Sequence, residues 1–457
     1  MAARPSWPPT LSPQNGPLYL QIVDAIEQAV ERGELREGDR LPPQRALAET
    51  VSVDLTTVTR AYTEARRRGL IDAVTGRGSF IAPRRGDDGP ALDLSMNIPP
   101  APRGVRLADA LRRGVQELAA RTDVDQVMSY HPGAGASADR AGAAAWLRPR
   151  FGELDPDRIL VAAGAQTAMA AIVTRFAAPG ATIACEPLVY PGVLSLARCF
   201  GHRLAAVEAD AEGMLPEALE RMCAASPTRL LYLNPTIANP TAATMSEGRR
   251  ADIVATARRH GLQILEDDPY SPLAADAPTP FAALAPDLVW HVHTLSKCLT
   301  PGLRVAFVVA PSRKERSALV PTLRALSLMP SPLATALLGA WIRDGLATDI
   351  LEGVRAEAAA RQALARSILP AAAPGHPNAI HLWLPLPDGW DRGELAARAR
   401  RSGLAVTSSD AFSAAGTAPQ AVRISLGAVR ERSRLAGALT TLAEILREDA
   451  SARTEVV

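Results

Sequence analysis

The chain has 457 residues, and at about 150 residues per domain this length predicts two or three domains. Hydrophobic residues make up 47% and charged residues 21%, which excludes a disordered, collagen-like or acidic-tail protein. Because the net charge is only +2, a surface that binds nucleic acid would have to be a local basic patch. Four cysteines without Cys-x-x-Cys spacing exclude a disulfide framework and indicate a reducing cytoplasm.

Three helices and two short strands are predicted within residues 1–83. Apolar residues recur at intervals of three and four over residues 18–30, a second helix covers 44–51, and a third begins near Asp54 and ends at Gly69. Short strands at 70–73 and 78–81 flank a Thr-Gly-Arg-Gly turn. This order of elements predicts an α+β winged helix-turn-helix.

Positive charge is concentrated in the second half of this domain. Residues 60–85 contain seven arginines and two acidic residues, a balance that favours contact with a phosphate backbone. The third helix would enter the major groove with its first residues, Thr56, Thr57, Thr59 and Arg60, and Arg77 and Gly78 of the turn would approach the minor groove. Arg66, Arg67 and Arg68 fit equally well as solvated residues at a helix end.

The segment closely resembles the GntR-type winged helix over some 60 residues. The resemblance is carried by Gly38-Asp39-x-Leu41-Pro42, Arg45-x-Leu47-Ala48, Thr57-Val58-x-Arg60-Ala61-Tyr62 and Gly76-x-Gly78-x-Phe80. It adds Arg45 to the residues expected to contact DNA. Where relatives often carry Ser-Arg before the recognition helix, this chain has Asp54-Leu55, so an operator cannot be borrowed from them.

Residues 84–91 have the composition of a linker and precede a different pattern. Short apolar runs at 159–162, 182–185, 230–233, 262–265, 290–294 and 305–309 alternate with helical stretches, which predicts a mostly parallel α/β sheet. After residue 311 long helices dominate, with strands at 381–384 and 422–426. We therefore expect a large domain at 92–311 and a smaller α+β subdomain at 312–457. A proline-broken amino terminus and the proline-containing apolar stretch at 325–342 give no reason to expect a membrane partner.

Lys297 is one of two lysines among 50 basic residues; the other is Lys314, in a charged run. Survival of Lys297 by chance is one explanation, and amine chemistry is the other. Thr294, Ser296 and Arg304 lie close to it in sequence, and hydroxyl and guanidinium groups are what a lysine-bound pyridoxal phosphate needs around its phosphate.

Other candidate residues fall at the ends of predicted strands. Asp267, preferred to Asp268, could protonate a pyridine nitrogen, although a helix N-cap is the alternative. Gly164, Ala165 and Gln166 join a strand to a helix and would offer backbone N–H groups to a phosphate. Tyr190 could stack on a ring, and Asn239 and Tyr270 could bind its hydroxyl.

Together these residues resemble the fold-type-I aminotransferases of the aspartate aminotransferase class. The matching motifs are Tyr130-x-x-x-x-Gly135, Gly164-Ala165-Gln166, Tyr190, Asn239-Pro240-Thr241, Asp267-x-x-Tyr270, Ser296-Lys297 with Arg304, and Arg423. The resemblance implies that Lys297 forms the internal aldimine, that Thr294, Ser296 and Arg304 hold the phosphate, that Tyr130 reaches the neighbouring subunit's site, and that Arg423 binds a substrate carboxylate. Ala165, where relatives have Ser or Thr, removes one hydroxyl contact.

A GntR-type winged helix joined to an aminotransferase-like domain is similar to the MocR family of bacterial transcriptional regulators. The resemblance implies a cytoplasmic homodimer that binds operator DNA and senses pyridoxal 5'-phosphate, or a small amino compound that reacts with it, through the aldimine at Lys297. No metal is expected. The alternative is a working pyridoxal-phosphate-dependent aminotransferase that acts on an amino acid and carries an accessory DNA-binding domain.

Overall fold

The computed structural model describes residues 11, 17–31, 34–36, 38–67, 70–74, 78–81, 92–121, 123–131, 134–369 and 371–454. The chain forms two compact units, Met1–Ala91 and Leu92–Val457. The predicted division of the second unit at residue 311 stays a prediction.

The first unit is built from three helices and a hairpin. They are α1 (Leu18–Glu31), α2 (Gln44–Thr50), α3 (Leu55–Arg67), β1 (Ile71–Val74) and β2 (Gly78–Ile81). The two strands are antiparallel, with Ile71 opposite Ile81. Ile22, Ile26, Val58 and Tyr62 are buried between the helices, and each pair is separated by four residues, the helical period that the sequence analysis used. The winged helix-turn-helix is confirmed.

Strands in the second unit are mostly short. They are β3 (Leu92–Asp93), β4 (Ile159–Ala162), β5 (Thr182–Cys185), β6 (Arg203–Ala206), β7 (Ala209–Asp210), β8 (Gly213–Met214), β9 (Leu230–Leu233), β10 (Gln263–Asp267), β11 (Val289–Thr294), β12 (Ala306–Val309), β13 (His381–Pro385), β14 (Leu404–Ala405), β15 (Thr407–Ser408) and β16 (Ala421–Ser425).

A seven-stranded sheet forms the centre of this unit, in the order β4-β12-β11-β10-β9-β5-β6. Neighbouring strands are parallel, except that β12 runs antiparallel to both β4 and β11. Three inner strands, β9, β11 and β12, are buried along their whole length, as expected for a sheet covered on both faces. The prediction of a mostly parallel α/β sheet is confirmed.

Helices cover both faces of the sheet because successive strand residues point to opposite sides. The helices are α4 (Leu107–Arg121), α5 (Val124–Val127), α6 (Ser137–Phe151), α7 (Ala165–Phe176), α8 (Pro191–Cys199), α9 (Pro216–Ala225), α10 (Glu247–His260), α11 (Phe281–Leu284), α12 (Arg313–Ser327), α13 (Pro332–Arg343), α14 (Leu346–Ile368), α15 (Arg392–Arg401) and α16 (Arg432–Thr454). In β4, Leu160 packs with α7 and α12, whereas Ile159 and Val161 pack with α6, α13 and α14.

The carboxy-terminal part has its own core around a small antiparallel sheet, β13-β16-β15. Leu382 and Ile424 lie opposite each other in this sheet, and Leu435 and Leu439 of α16 pack on it. Strand β3, at the start of the second unit, pairs in parallel with β14. The first residues of this unit are therefore held by its last third. No helix in the described ranges combines the length and the apolar character needed to cross a bilayer.

Candidate functional site

A cavity opens at the carboxyl ends of the central strands, where open α/β sheets bind ligands. It encloses about 590 Å³ including its mouth, within the range of small-molecule sites. Most of the predicted cofactor residues line it, although they are spread over 140 residues of sequence. The lining consists of Ala165, Gln166, Tyr190, Asn234, Asn239, Asp267, Pro269, Tyr270, Thr294, Ser296, Lys297, Pro301 and Arg304.

Lys297 ends the 3-10 turn Leu295–Lys297, directly after β11. Its Nζ donates a hydrogen bond to the backbone carbonyl of Asn97 at 2.5 Å. Burial lowers the pKa of Lys297 to about 8, with the positive charge of Arg423 and Arg304 acting in the same direction and Asp267 opposing them. A substantial fraction of this amine is therefore neutral, and nucleophilic, near pH 8.

Asp267 is the last residue of β10 and is buried at the inner end of the cavity. Its Oδ2 accepts a hydrogen bond from the hydroxyl of Tyr232 at 2.8 Å, and its backbone carbonyl accepts one from the side chain of Asn234 at 2.7 Å. Burial raises the pKa of Asp267 to about 7. Asp268 does not line the cavity; its Oδ1 accepts from the backbone N–H of Ser271.

One end of the cavity is suited to a phosphate. Gly164 is the N-cap of α7, so the helix begins at the cavity wall and presents its first N–H groups there. With φ at +90°, Gly164 approaches Arg304 so closely that a Cβ would lie 2.7 Å from Nη2. Arg304 is exposed toward the cavity and has no hydrogen-bond or ion-pair partner in the described part of the chain. Its guanidinium is therefore available to an anion.

The hydroxyls of Thr294 and Ser296 complete this end. Thr294 caps the turn that carries Lys297, and its Oγ1 lies 3.0 Å from Oγ of Ser296. On the opposite wall the Gln166 amide donates to the carbonyl of Gly192 at 2.7 Å. A Cβ at Gly192 would lie 2.2 Å from the Tyr190 ring, so only glycine lets the ring occupy this position.

Arg423 lies on β16 and is 6% exposed. Its Nη1 donates to Oδ1 of Asn239 at 2.8 Å, and its Nη2 donates to the backbone carbonyl of Ser95. Its Nε is buried without an acceptor among the described residues. The structure thus brings Arg423 next to the cavity residue Asn239.

Tyr130 is not part of this arrangement. Its side chain is 82% exposed, and it does not line the cavity. Its predicted contact with a neighbouring subunit's site stays a prediction.

Three residues that hold the predicted ones in place were not predicted from the sequence. Tyr232 and Asn234 position Asp267 from the end of β9, and the rule that parallel strands bring their carboxyl ends together could have found them. Asn97 had no such signal, because it contacts Lys297 through its backbone carbonyl. Its side-chain amide also donates to the hydroxyl of Tyr270 at 2.9 Å.

A buried group of Asp268, His291 and His293 behind the cavity has the spacing of a metal site. The indole N–H of Trp146 donates to Nε2 of His293, so the neutral ring carries its own proton on Nδ1. Burial lowers the pKa of His293 to about 4, which keeps the ring neutral. Neither nitrogen of His293 then offers a lone pair, and the donor set does not suit a metal ion.

The predicted DNA-contacting residues of the first unit lie along α2, α3 and the wing. Asp54 accepts hydrogen bonds from the backbone N–H and the hydroxyl of Thr56, which fixes the start of α3. Thr56, Thr59 and Arg45 are exposed, and Thr57 is half-buried. The exposed guanidinium of Arg60 lies 4.1 Å from the centre of the Tyr19 ring, which orients it.

In the wing, a Cβ on Gly78 would lie 3.1 Å from the guanidinium of Arg40. Arg40 is exposed, and the sequence analysis did not assign it. Arg77 lies outside the described residues.

Each of the two units matches a known protein family. Residues 18–81 match the bacterial regulatory proteins of the gntR family, and residues 90–442 match aminotransferase class I and II. The HTH-type transcriptional regulator YdeF of Bacillus subtilis is 29% identical over 449 residues, which cover 96% of this chain and 97% of the relative. The vitamin B6 salvage pathway transcriptional repressor PtsJ of Salmonella typhimurium is 30% identical over 80% of this chain and 85% of its own.

Among solved structures, LysN of Thermus thermophilus, an alpha-aminoadipate aminotransferase complexed with N-(5'-phosphopyridoxyl)-L-leucine, has a TM-score of 0.71 and 25% identity. The alignment covers 86% of this chain and 99% of LysN. The unpartnered Arg304, the close approach at Gly164 and the buried Asp267 all fit pyridoxal phosphate. The predicted cofactor is thus confirmed for this domain. The chain is a member of the MocR family of transcriptional regulators, in which a GntR-type helix-turn-helix domain precedes an aminotransferase class I and II domain.

Proposed function

We propose that the protein is a transcriptional regulator that binds operator DNA through its first unit and responds to pyridoxal phosphate, or to an amino compound that reacts with it, through its second unit. The observation that carries this proposal is the presence in one chain of a capped recognition helix with exposed threonines and arginine and of a cavity lined by Lys297, Asp267 and Arg304. Such a protein acts where the chromosome is, in the cytoplasm.

In this proposal each wall of the cavity holds one part of the cofactor. Arg304, Thr294, Ser296 and the N-terminus of α7 bind the phosphate, and Tyr190 covers the ring. Asp267 would pair with the ring nitrogen, and the positive charge of a pyridinium there would favour the charged carboxylate that burial disfavours. Asn239 and Tyr270 orient the ring hydroxyl.

Pyridoxal phosphate supplies an aldehyde that reacts with primary amines. Lys297 provides the resident amine, and its depressed pKa lets Nζ react, and return its proton, near neutral pH. An incoming amino compound competes with Lys297 for the same aldehyde. If that compound carries a carboxylate, the buried guanidinium of Arg423 pairs with it.

A homodimer is part of the proposal because apolar side chains are exposed on helices that contact one another. Leu111 and Val115 of α4 are 50% and 42% exposed, Met128 after α5 is 66% exposed, and Leu333 of α13 is 43% exposed. α13 packs against both α4 and α5. An apolar surface of this kind indicates an interface. We expect Leu111→Asp with Val115→Asp to give a monomer by analytical ultracentrifugation, and Lys314→Asp, at an exposed position of α12, to stay dimeric.

A second candidate function is aminotransferase turnover. The specific observation in its favour is Lys297, whose pKa near 8 suits a residue that moves a proton at physiological pH. Release of a keto acid from a common amino acid, with conversion of the cofactor to its amine form, would support this function.

The decisive experiment is a titration of the full-length protein against its own upstream intergenic DNA, at two salt concentrations, with and without pyridoxal phosphate. Specific binding that changes with the cofactor supports the regulator. Binding with no preference over random DNA and with only a steep salt dependence contradicts it and favours the enzyme.

A further inference from the structure

One short segment touches two cations of the site, Lys297 and Arg423. We call residues 93–98 the strap. The carbonyl of Ser95 accepts hydrogen bonds from Nη2 of Arg423 and from the hydroxyl of Thr407 at 3.3 Å. Two residues later the carbonyl of Asn97 accepts from Nζ of Lys297 at 2.5 Å. The strap therefore supplies neutral oxygen acceptors at the two positions where the cofactor and an effector would bind.

The hydrogen bonds of Arg423 indicate what would replace the strap. Nη1 donates to Asn239, and Nη2 donates to Ser95 and, at 3.4 Å, to the hydroxyl of Thr407, whereas Nε is buried without an acceptor among the described residues. Nε and Nη2 form the side-on pair with which a guanidinium binds both oxygens of a carboxylate. A carboxylate in that position would satisfy Nε and would compete with the Ser95 carbonyl for Nη2. A charged bidentate acceptor binds more strongly than one neutral carbonyl.

The shape of the strap is set by Asp93. Its Oδ1 accepts hydrogen bonds from the N–H of Ser95 at 2.7 Å, the hydroxyl of Ser95 at 2.6 Å and the N–H of Met96 at 3.2 Å, and this turn presents the Ser95 carbonyl to Arg423. On the other side, the N–H of Leu94 donates to the carbonyl of Ala405. In sequence the strap follows residues 82–91, which lie between β2 of the first unit and β3 of the second.

We propose that the strap is an internal ligand of Arg423, and that an effector carrying both an amine and a carboxylate displaces the Ser95 carbonyl and thereby changes how the chain next to residues 82–91 is held. Displacement of the strap is the step that links the occupied cavity to operator affinity. This inference rests on the proposed function, since it requires an effector at the Lys297 site. It also restricts the effector to amino acids, because an amine without a carboxylate would leave the strap in place.

The test uses two probes that differ in one carboxylate, N-(5'-phosphopyridoxyl)-L-alanine and N-(5'-phosphopyridoxyl)ethylamine, bound to the full-length protein. Amide hydrogen exchange of residues 94–98 is measured by mass spectrometry at saturation with each probe. We expect exchange to be several-fold faster with the alanine probe than with the ethylamine probe. Equal exchange with both probes bound would overturn the inference.

Two variants of Asp93 give a matched comparison. Asp93→Asn and Asp93→Ala both remove the negative charge near Arg423, but only asparagine keeps an oxygen that can accept the bonds of the turn. We expect the preference for the alanine probe over the ethylamine probe to be about fivefold greater in Asp93→Ala than in Asp93→Asn, the effect of losing one ordinary hydrogen bond. The same preference in both variants would contradict the role of the strap.

Operator affinity measured with the two probes separates this inference from the function on which it rests. If both probes change operator affinity equally and exchange is also equal, the strap inference fails and the regulator remains. If exchange depends on the carboxylate but operator affinity responds to neither probe, the displacement of the strap stands and the regulatory function fails.

Discussion

Arg423 and Asn239, 184 residues apart in sequence, are joined by a hydrogen bond of 2.8 Å between Nη1 and Oδ1. The bond links a strand of the carboxy-terminal sheet to the loop after β9 and closes one side of the cavity. Both residues were assigned to ligand binding from the sequence, one to a carboxylate and one to a ring hydroxyl. In the structure Nη1 of Arg423 and Oδ1 of Asn239 satisfy each other, which leaves Nε and Nη2 of Arg423 to a carboxylate and the side-chain N–H groups of Asn239 to a ring hydroxyl.

Lys297→Ala should abolish the visible absorbance that pyridoxal phosphate acquires when it reacts with a protein lysine. The reason is that Lys297 has the lysine amine that borders the cavity, whereas Lys314 is exposed at the start of α12. The measurement is an absorbance titration with the cofactor. Lys314→Ala is the matched control and should keep the absorbance. A lysine-type spectrum in Lys297→Ala would show that the assignment is wrong.

Arg60→Ala should weaken operator binding by about fivefold or more, the loss expected for one good base or phosphate contact, without changing cofactor uptake. Arg60 is exposed on the recognition helix α3, and the ring of Tyr19 in α1 positions its guanidinium. Fluorescence anisotropy with labelled operator DNA checks this prediction. Arg112→Ala, a change of the same charge on α4 of the second unit, controls for net charge. Unchanged affinity would remove Arg60 from the interface.

The pH dependence of unfolding should report Asp267 in the cofactor-free protein. Its pKa is raised from 3.8 to about 7, so the folded protein holds a proton that the unfolded chain releases. Stability from this group is therefore fully present below about pH 4 and is lost as the pH rises to about 7, by an amount on the order of 4 kcal/mol. Asp267→Asn should flatten the decline between pH 4 and 7 and raise the melting temperature at pH 8.

Lys297 should control a separate pH window. Burial lowers its pKa from 10.5 to about 8, so between these pH values the folded protein has released a proton that the unfolded chain still holds. Stability from this group increases as the pH rises from about 8 to 10.5. Lys297→Met should remove the increase in that window and move the upper end of the Asp267 window to higher pH, because the charge of Lys297 lowers the pKa of Asp267. Thermal melts across both windows test the two assignments, and identical profiles in wild type and both variants would contradict them.

Gly164→Ala should weaken binding of pyridoxal phosphate more than backbone strain explains. Both Gly164 and Gly180 have positive φ values, +90° and +83°, so alanine strains the backbone at either position. At Gly164 the new Cβ would also displace the Arg304 guanidinium, whereas Gly180 faces open space. We expect cofactor binding to be about tenfold weaker in Gly164→Ala, as for the loss of a charge-assisted hydrogen bond. In Gly180→Ala we expect cofactor binding to be unchanged. Equal affinities would contradict the role of Arg304.

Much of the fold could be predicted because buried strands carry uninterrupted apolar runs. The limits of β4 were predicted correctly because Ile159 to Ala162 are all apolar, and all four are buried. It missed β6, Arg203–Ala206, because this edge strand has exposed and half-buried residues and no apolar run. β10 extends to Asp267 at its polar end, beyond the predicted limit at residue 265.

The site was predictable where side chains carry the chemistry and not where the backbone does. Lys297, Asp267 and Arg304 were found because amines, carboxylates and guanidinium groups have distinctive functions. Ser95 and Asn97 bind the two cations with carbonyl oxygens, which every residue possesses. These contacts therefore cannot be predicted from the identity of the residue, and only the three-dimensional structure reveals them.

The antiparallel strand β12 has a mechanical consequence. Thr294 and Ala306 are opposite each other in the register of β11 and β12, so the connection between them is a closed loop pinned at both ends by the sheet. Lys297 and Arg304 both lie on that loop. The groups that we propose to react with the aldehyde and to bind the phosphate therefore lie on one loop that the sheet fixes at both ends. We expect any motion that depends on an occupied cavity to occur in the segments that cover this loop.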